Sequence, residues 1–321
     1  MKKVLQAANR KYLLRYRTEY FVFMVLMFAM RSMSPALVWR MARQMGRLCF
    51  HFGLRRKNMI SNLEIAFPEM TDEERVDTAR RCWEHFACMM VDTVFQRRML
   101  RRSNLLEKIK ITGWAKEFID EHGVEALPER IQGCIFCGGH FGNWELATGM
   151  FKLLGVPIAP VYRTPSNPFL AKLIREIRLD QHAKFIERRG AVAMMVDIIE
   201  GGGNVGILFD QEAMSGLMVP LFGVAAPTHK TPAVLHRDLK APIFFGSMIR
   251  RGDFLQYEAR GALLEDLTVG KDRVEDLRAV LTALNGRLEE RICEHPEQYF
   301  WMHRRWKYLG VHGEKYKKDR K

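Results

Sequence analysis

The chain lacks several features that would assign it to a class at once. It has no apolar run of about 20 residues, the length that a membrane-spanning helix needs. The run Tyr20–Met30 near its start is about half that length. No small-residue cleavage site follows it, so we expect no cleavable signal peptide. A hydrophobic content of 48% excludes a disordered chain, and the length allows one large core or two modest ones.

Cysteine is scarce, with six residues in 321. This number does not suggest a disulfide framework, and a reducing compartment fits better. Cys134 and Cys137 form a CxxC pair, but the sequence has no second pair, and positions three apart on a strand face opposite ways. Cys82, His85 and Cys88 share three-residue spacing on a predicted helix without an evident fourth ligand. The sequence therefore predicts no metal site.

Glycine-rich nucleotide loops are also missing. Gly201–Gly203 precedes a predicted strand but fits neither GxxxxGK[ST] nor GxGxxG, so we interpret it as a turn. Acidic residues are in deficit: Lys and Arg number 51 against 37 Asp and Glu, a net charge of +14. This excess indicates an anionic partner, which nucleic acid, acidic lipid or an acidic carrier protein would each satisfy.

The N-terminal region combines apolar and basic stripes. Basic residues precede the run Tyr20–Met30, and a second segment carries an apolar stripe beside Arg40, Arg43 and Arg47. The members of that stripe are Leu37, Val38, Met41, Met45 and Leu48. This pattern is typical of a helix lying in an anionic membrane interface, and the alternative is an amphipathic helix packed on its own domain. We favour the membrane.

Periodicity predicts an α/β fold, with a mixed, largely parallel sheet flanked by helices and an N-terminal helical segment that associates with the membrane. Thr71 is the predicted N-cap of a helix that ends near Arg98. Predicted strands are Cys134–Cys137, Val156–Tyr162, Ala183–Ile186, Val205–Phe209 and Pro242–Ile249. Predicted helices are Trp144–Leu154, Pro168–Gln181, Ala191–Glu200, Thr231–Leu239 and Val274–Glu294. We expect a helical region over 1–110, a catalytic domain over 111–310 and a basic tail over 311–321.

The segment Cys134–Glu145 carries the strongest chemical signal. A strand-like run ends in Gly138 and Gly139, His140 follows, and Glu145 comes five positions later. Neutral imidazole is a good base near pH 7, and a carboxylate can fix its tautomer. The pair suits removal of a proton from a hydroxyl that attacks an acyl carbonyl. The alternative is a structural histidine, since the chain has 10 histidines.

Other polar residues follow neighbouring predicted strands. Arg163 follows the second strand, and Asp210 and Gln211 follow the fourth. Because ligands bind at the carboxyl ends of strands in open α/β sheets, we expect these side chains to converge with His140. Arg163 could instead be a solvated surface residue and Asp210 a turn residue. The loop predicted over Asp210–Pro227 is apolar, so it either lines a cleft or covers the core.

Five segments together make the chain resemble the lipid A biosynthesis acyltransferases, of the lysophospholipid acyltransferase superfamily. The resemblance covers nearly the whole chain. The segments are Asn58–Pro68, Gly139–Glu145, Val161–Arg163 with Asn167-Pro168, Asp210-Gln211 with Phe222-Gly223, and His295–Lys307. The sequence departs from its relatives at Asp210–Gly216, which carries an extra acidic residue and a methionine where some relatives have a plainer glycine loop.

The resemblance implies transfer of a fatty acyl group from an acyl-carrier-protein thioester to a hydroxyl of an anionic lipid A precursor, at the cytoplasmic face of the bacterial inner membrane. It implies that His140 is the base and Glu145 its partner. Arg163 would bind an acceptor phosphate or the oxyanion, and Asp210, Gln211 and Asn143 would complete the substrate-binding site. No cofactor, metal or nucleic acid is expected.

Three alternatives stay open on the sequence. The first is an acyltransferase of the same superfamily that uses acyl-CoA and another glycolipid or a lysophospholipid. The second is a basic nucleic-acid-binding protein, and the third is a non-catalytic membrane adaptor that keeps the fold.

Overall fold

A computed structural model describes residues 10–181, 185–187, 190–211, 216–264, 267 and 269–309. The predicted tail 311–321 lies outside the described residues, as do parts of the predicted strand at 183–186 and of the loop 210–216. The division of the chain into three regions stays a prediction.

The helices of the described residues alternate with strands from residue 105 onward. They are α1 (Arg10–Ser32), α2 (Pro35–His51), α3 (Arg56–Ala66), α4 (Asp72–Met99), α5 (Leu105–Lys108), α6 (Trp114–His122), α7 (Leu127–Arg130), α8 (Trp144–Leu153), α9 (Pro168–Gln181), α10 (Ala191–Glu200), α11 (Thr231–Leu239) and α12 (Arg273–Glu294). Thr71 caps α4 as predicted: its hydroxyl accepts from the Glu74 N–H, and the Glu74 carboxylate accepts from the Thr71 N–H. This reciprocal capping box satisfies two backbone donors at the start of the helix.

The strands are β1 (Ile109–Gly113), β2 (Ile135–Gly138), β3 (Ile158–Tyr162), β4 (Ile186–Glu187), β5 (Asn204–Leu208), β6 (Leu217–Leu221), β7 (Val224–Thr228), β8 (Ile243–Arg250) and β9 (Tyr257–Leu264). Seven of them form one sheet in the order β1-β9-β8-β2-β5-β3-β4. The pair β8 and β9 is antiparallel, and the other neighbouring strands are parallel. The predicted α/β class with a largely parallel sheet is confirmed.

The prediction of a loop over Asp210–Pro227 was wrong for its second half. Leu217–Leu221 and Val224–Thr228 pair as an antiparallel hairpin beside the main sheet. Val219 and Leu221 are fully buried while Met218 is 40% exposed, so one face of the hairpin covers the core. This alternation is the period of a half-buried strand.

Helices cover both faces of the sheet and share its core. Met59 and Leu63 of α3 belong to the same buried cluster as Ile135 of β2 and Leu284 of α12. A second cluster on the opposite face joins α6 and α8 to β2, β8 and β9. The helices before residue 100 therefore contribute to the core that supports the sheet.

The two N-terminal helices expose much of their apolar surface. Phe21 and Phe28 of α1 are 68% and 75% exposed, and Met45 of α2 is 57% exposed. The side chains of Arg43 and Arg47 of α2 are also exposed, at 49% and 41%, and both pair with the buried Glu84 of α4, at 2.7 and 2.9 Å. Within the described residues, no helix combines the length and the hydropathy that crossing a membrane requires.

Candidate active site

The site forms where two neighbouring parallel strands end. Gly138 at the end of β2 lies beside Leu208 at the end of β5, so the chain continues from adjacent points to His140 and Asp210. Gly139 between them is tightly enclosed: an added Cβ would lie 2.6 Å from Leu288 Cδ1 and 3.2 Å from an Asp210 carboxylate oxygen. A side chain at this position would collide with Leu288 and crowd the Asp210 carboxylate.

His140 and Asp210 form a close pair through two contacts. The ring Nδ1 lies 2.8 Å from Asp210 Oδ1, and the His140 backbone N–H donates to Asp210 Oδ2 at 2.8 Å. Because a carboxylate only accepts, Nδ1 carries the proton and the Nε2 lone pair of the neutral ring is free to accept another. The side chain of His140 remains 17% exposed. The carboxylate on Nδ1 is therefore Asp210, in the position that the sequence analysis assigned to Glu145.

Asp210 stays charged although its residue is only 2% exposed. Burial alone would raise the pKa of its carboxyl, but the His140 ring, the His140 N–H and the nearby Arg305 outweigh that effect and lower the pKa below its ordinary value. The Tyr299 hydroxyl also hydrogen-bonds to Asp210. An ionised aspartate on Nδ1 stabilises the imidazolium that forms when Nε2 takes a proton.

Gln211 occupies the other side of the ring. Its Nε2 lies 3.1 Å from His140 Nε2, so the amide donates to the lone pair of the neutral ring. Trp144 and Phe300 flank the same imidazole, with ring centroids 5.1 and 6.2 Å away. These contacts limit the rotation of the ring and leave one edge facing the cavity.

A cavity of about 690 Å³ opens beside this edge of His140. Glu145, Arg163 and Gln211 line it together with His140, and the lining continues inward over apolar side chains. The apolar lining includes Phe136, Phe151, Phe244, Leu127, Ile131 and Leu154. The arrangement can hold a long apolar group with its polar end at the imidazole.

The predicted site residues fall in three situations. His140, Asp210 and Gln211 are in mutual contact, as the convergence argument expected. Glu145, in the first turn of α8, and the exposed Arg163 both line the cavity. Asn143 is fully buried: its side chain caps α8 by accepting from the Leu146 N–H and donates to the Tyr257 hydroxyl.

The sequence analysis did not identify the individual residues of the C-terminal segment that support the site. The Tyr299 hydroxyl bonds to Asp210, and the Phe300 N–H donates to the His140 carbonyl at 2.9 Å. Arg305 is 1% exposed and donates to Thr228 Oγ1 at 2.7 Å. The dense aromatic and basic pattern of 295–307 was the signal, and it marks buried support for the site. Among the described residues, no group of three or more His, Cys, Asp or Glu side chains could hold a metal ion.

The chain is similar to known proteins over most of its length. The family described as bacterial lipid A biosynthesis acyltransferase matches residues 7–308. Lipid A biosynthesis lauroyltransferase of Escherichia coli K12 is 25% identical over 275 residues, which cover 84% of this chain and 85% of that protein. Lipid A biosynthesis palmitoleoyltransferase of the same strain and lipid A biosynthesis acyltransferase of Shigella flexneri are each 25% identical over 301 residues, covering 91% of this chain and 92% of theirs.

The family match and these relatives show that the chain is an enzyme of the O-acyltransferase class. More specifically, the chain belongs to the bacterial lipid A biosynthesis acyltransferase family.

Proposed function

We propose that this enzyme transfers a fatty acyl group from an acyl-carrier-protein thioester to a hydroxyl of a lipid A precursor, with His140 as the general base. The observation that supports it most is the His140–Asp210 pair, held at 2.8 Å and open to an apolar cavity. The geometry matches the base and orienting acid of acyl-transfer enzymes, in which a carboxylate holds one ring nitrogen while the other takes the proton.

In the proposed reaction, His140 carries one proton from the acceptor hydroxyl to the departing sulfur. The acceptor hydroxyl displaces the Gln211 amide from His140 Nε2 and gives its proton to that nitrogen as its oxygen attacks the thioester carbonyl. The carbon–sulfur bond then breaks, the imidazolium gives the proton to the departing sulfur, and the products are an ester and a free thiol. Asp210 stabilises the imidazolium between the two steps. No covalent acyl-enzyme is required.

Two side chains of the cavity lining suit the polar parts of the substrates. The exposed Arg163 can bind a phosphate of the acceptor or the developing oxyanion, because guanidinium donates two parallel hydrogen bonds to such groups. Glu145 stays our second predicted catalytic residue, since it lies in the same lining on the substrate side of His140. The apolar depth of the cavity suits the fatty chain.

The decisive experiment is His140→Ala with acyl-carrier-protein donor and a lipid A precursor, followed by mass spectrometry of the product. We expect turnover to fall about 10²–10⁴-fold, the usual contribution of a general base. His122→Ala is the control, because the side chain of His122 is 48% exposed and lies outside the cavity lining. Near wild-type turnover of His140→Ala would contradict the assignment of the base. Transfer from acyl-CoA alone would contradict the proposed donor.

We also propose that α1 and α2 lie on the cytoplasmic surface of the inner membrane. Their exposed apolar side chains support this proposal, together with the net charge of +14, which favours an anionic surface. Burying one Phe is worth roughly 1.5–3 kcal/mol, so Phe21→Glu with Phe28→Glu should weaken partition onto anionic phospholipid vesicles more than tenfold. The matched control is Leu106→Glu, since Leu106 is 62% exposed on α5. Equal weakening by both would contradict the proposal.

A further inference from the structure

A buried polar cluster lies directly behind the loop that carries His140. Its members are Asp92 and His85 of α4, Arg250 at the end of β8 and Tyr257 at the start of β9. Asp92 is 0% exposed, Tyr257 2% and His85 8%. The residues lie outside the cavity lining, so they do not contact the substrates. Burying this many polar groups is costly, so the hydrogen bonds that they make are important for stability.

One branch of the cluster ends on the backbone of the catalytic loop. Arg250 NH1 lies 2.7 Å from Asp92 Oδ2, and Arg250 Nε donates to His85 Nδ1 at 3.4 Å. With a donor on Nδ1, the neutral His85 ring carries its proton on Nε2, and this N–H donates to the Gly142 carbonyl at 3.2 Å. Gly142 is two residues from His140.

A second branch ends on the adjacent residue. The Tyr257 hydroxyl donates to Asp92, and it accepts from the Asn143 side-chain amide at 3.2 Å. The Asn143 N–H donates to the Met248 carbonyl at 2.8 Å, and the Gly142 N–H donates to the Gln298 carbonyl at 2.9 Å. Hydrogen bonds to the backbone or side chain therefore hold both Gly142 and Asn143 in place.

We propose that Asp92, Arg250, His85 and Tyr257 are positioning residues that fix the catalytic loop, and with it His140, through the Gly142 carbonyl and the Asn143 side chain. The inference rests on the proposed role of His140. A shift of about 1 Å in a catalytic group can cost about 10²-fold in rate, so a rigid support behind the loop has a direct effect on turnover. The ion pair of Asp92 and Arg250 holds the two branches in one geometry.

The test is the pair His85→Leu and His85→Gln. Leu fills a similar volume but has no donor, whereas the Gln amide can reach the place of His85 Nε2 and donate to the Gly142 carbonyl. We expect His85→Leu to lower kcat about tenfold to 10²-fold with an unchanged KM for the acyl donor. His85→Gln should restore kcat to within about threefold of the wild type, because the bond is restored. A purely structural role would lower the melting temperature without this separation of kcat from KM.

Hydrogen exchange of the Gly142 and Asn143 amides tests the same inference without any substrate. We expect faster exchange in His85→Leu than in His85→Gln. Equal exchange, or equal kcat in the two variants, would overturn the positioning role. If His140→Ala keeps full turnover, the proposed base is wrong, but the exchange comparison still decides whether the cluster fixes the loop. If His85→Leu does not fold, Tyr257→Phe replaces it, and a wild-type kcat there would equally overturn the inference.

Discussion

Two histidines lie on opposite sides of one loop, and they differ in what surrounds them. His140 faces the cavity, and its Nδ1 is held by the ionised Asp210. His85 is buried behind the loop, where burial and then the charge of Arg250 lower its pKa to about 3. A neighbouring carboxylate favours the charged imidazolium, whereas burial beside a guanidinium excludes it.

The difference decides which histidine can do chemistry. We propose His140 as the base because Asp210 can compensate the charge of a protonated ring and the ring lines the cavity. His85 stays neutral near pH 7 and can only donate and accept hydrogen bonds in a fixed tautomer. We therefore propose that the same residue type serves as a base at the cavity and as a support behind it, according to burial and the sign of the nearest charge.

The largest expected effect concerns Asp210, the carboxylate that distinguishes the surroundings of His140 from those of His85. Asp210→Asn keeps the shape of the side chain but allows the wrong ring tautomer, so we expect kcat to fall on the order of 10³-fold or more. Glu145→Gln changes a carboxylate of the cavity lining that is not the one on Nδ1, and we expect a smaller loss. The measurement is kcat for both variants with the same donor and acceptor. A larger loss in Glu145→Gln would return the orienting role to Glu145.

The choice between these two carboxylates shows where sequence reasoning ends. That His140, Asp210 and Gln211 meet could be predicted, because each follows a predicted strand of one parallel sheet. Which carboxylate reaches Nδ1 depends on strand order. Asp210 is 70 positions from His140 and becomes its neighbour only because β5 pairs with β2, which the residue pattern does not specify.

Other errors also have physical reasons. The hairpin of β6 and β7 was not predicted because Pro220 and Gly223 are residues typical of loops. A proline is nevertheless tolerated in a strand that pairs on one side only. β9 contains a glycine, an arginine and a glutamate, so it does not resemble a buried strand. His85 was interpreted only as a weak metal ligand, since nothing in its helical spacing shows that Arg250 and the Gly142 carbonyl lie against it.

An intermediate effect is expected at Gly142, which lies two positions after His140 and whose carbonyl contacts the His85 ring. Its φ is +60°, and an added Cβ would lie 1.9 Å from the Met248 carbonyl oxygen. Gly142→Ala should therefore displace the loop, lower kcat by about 10²-fold and reduce the free energy of unfolding by more than the roughly 1–2 kcal/mol of the left-handed backbone alone. Both can be measured on one preparation.

Gly53→Ala is the matched control for Gly142→Ala. Gly53 also has a positive φ, of 73°, but an added Cβ there would meet nothing within 4 Å. This variant should show the backbone cost without the collision and should keep its turnover. If the two variants lose the same free energy and both keep full activity, the Gly142 carbonyl and its His85 contact do not control the position of His140.

The smallest expected effect is the dependence of stability on pH that comes from His85. His85 has a folded pKa of about 3 against an ordinary value of 6.5, so between these pH values the unfolded chain binds a proton that the folded protein does not. Stability from His85 is thus lost as the pH falls below about 6.5. His85→Gln removes this contribution, and the slope of the unfolding free energy against pH should decrease by up to about 1.4 kcal/mol per pH unit.

The pH range of that measurement must keep the two sites apart. The pKa of Asp210 lies below its ordinary 3.8, so its stabilisation is complete above that value and is lost only as the pH falls through the lower folded pKa. Urea unfolding between about pH 4.5 and 6.5 therefore reports on His85 without Asp210, while Arg250 keeps its charge throughout. An unchanged slope in His85→Gln would mean that His85 is protonated in the folded state. Its ring would then be a donor at both nitrogens, and the contact from Arg250 Nε could not form.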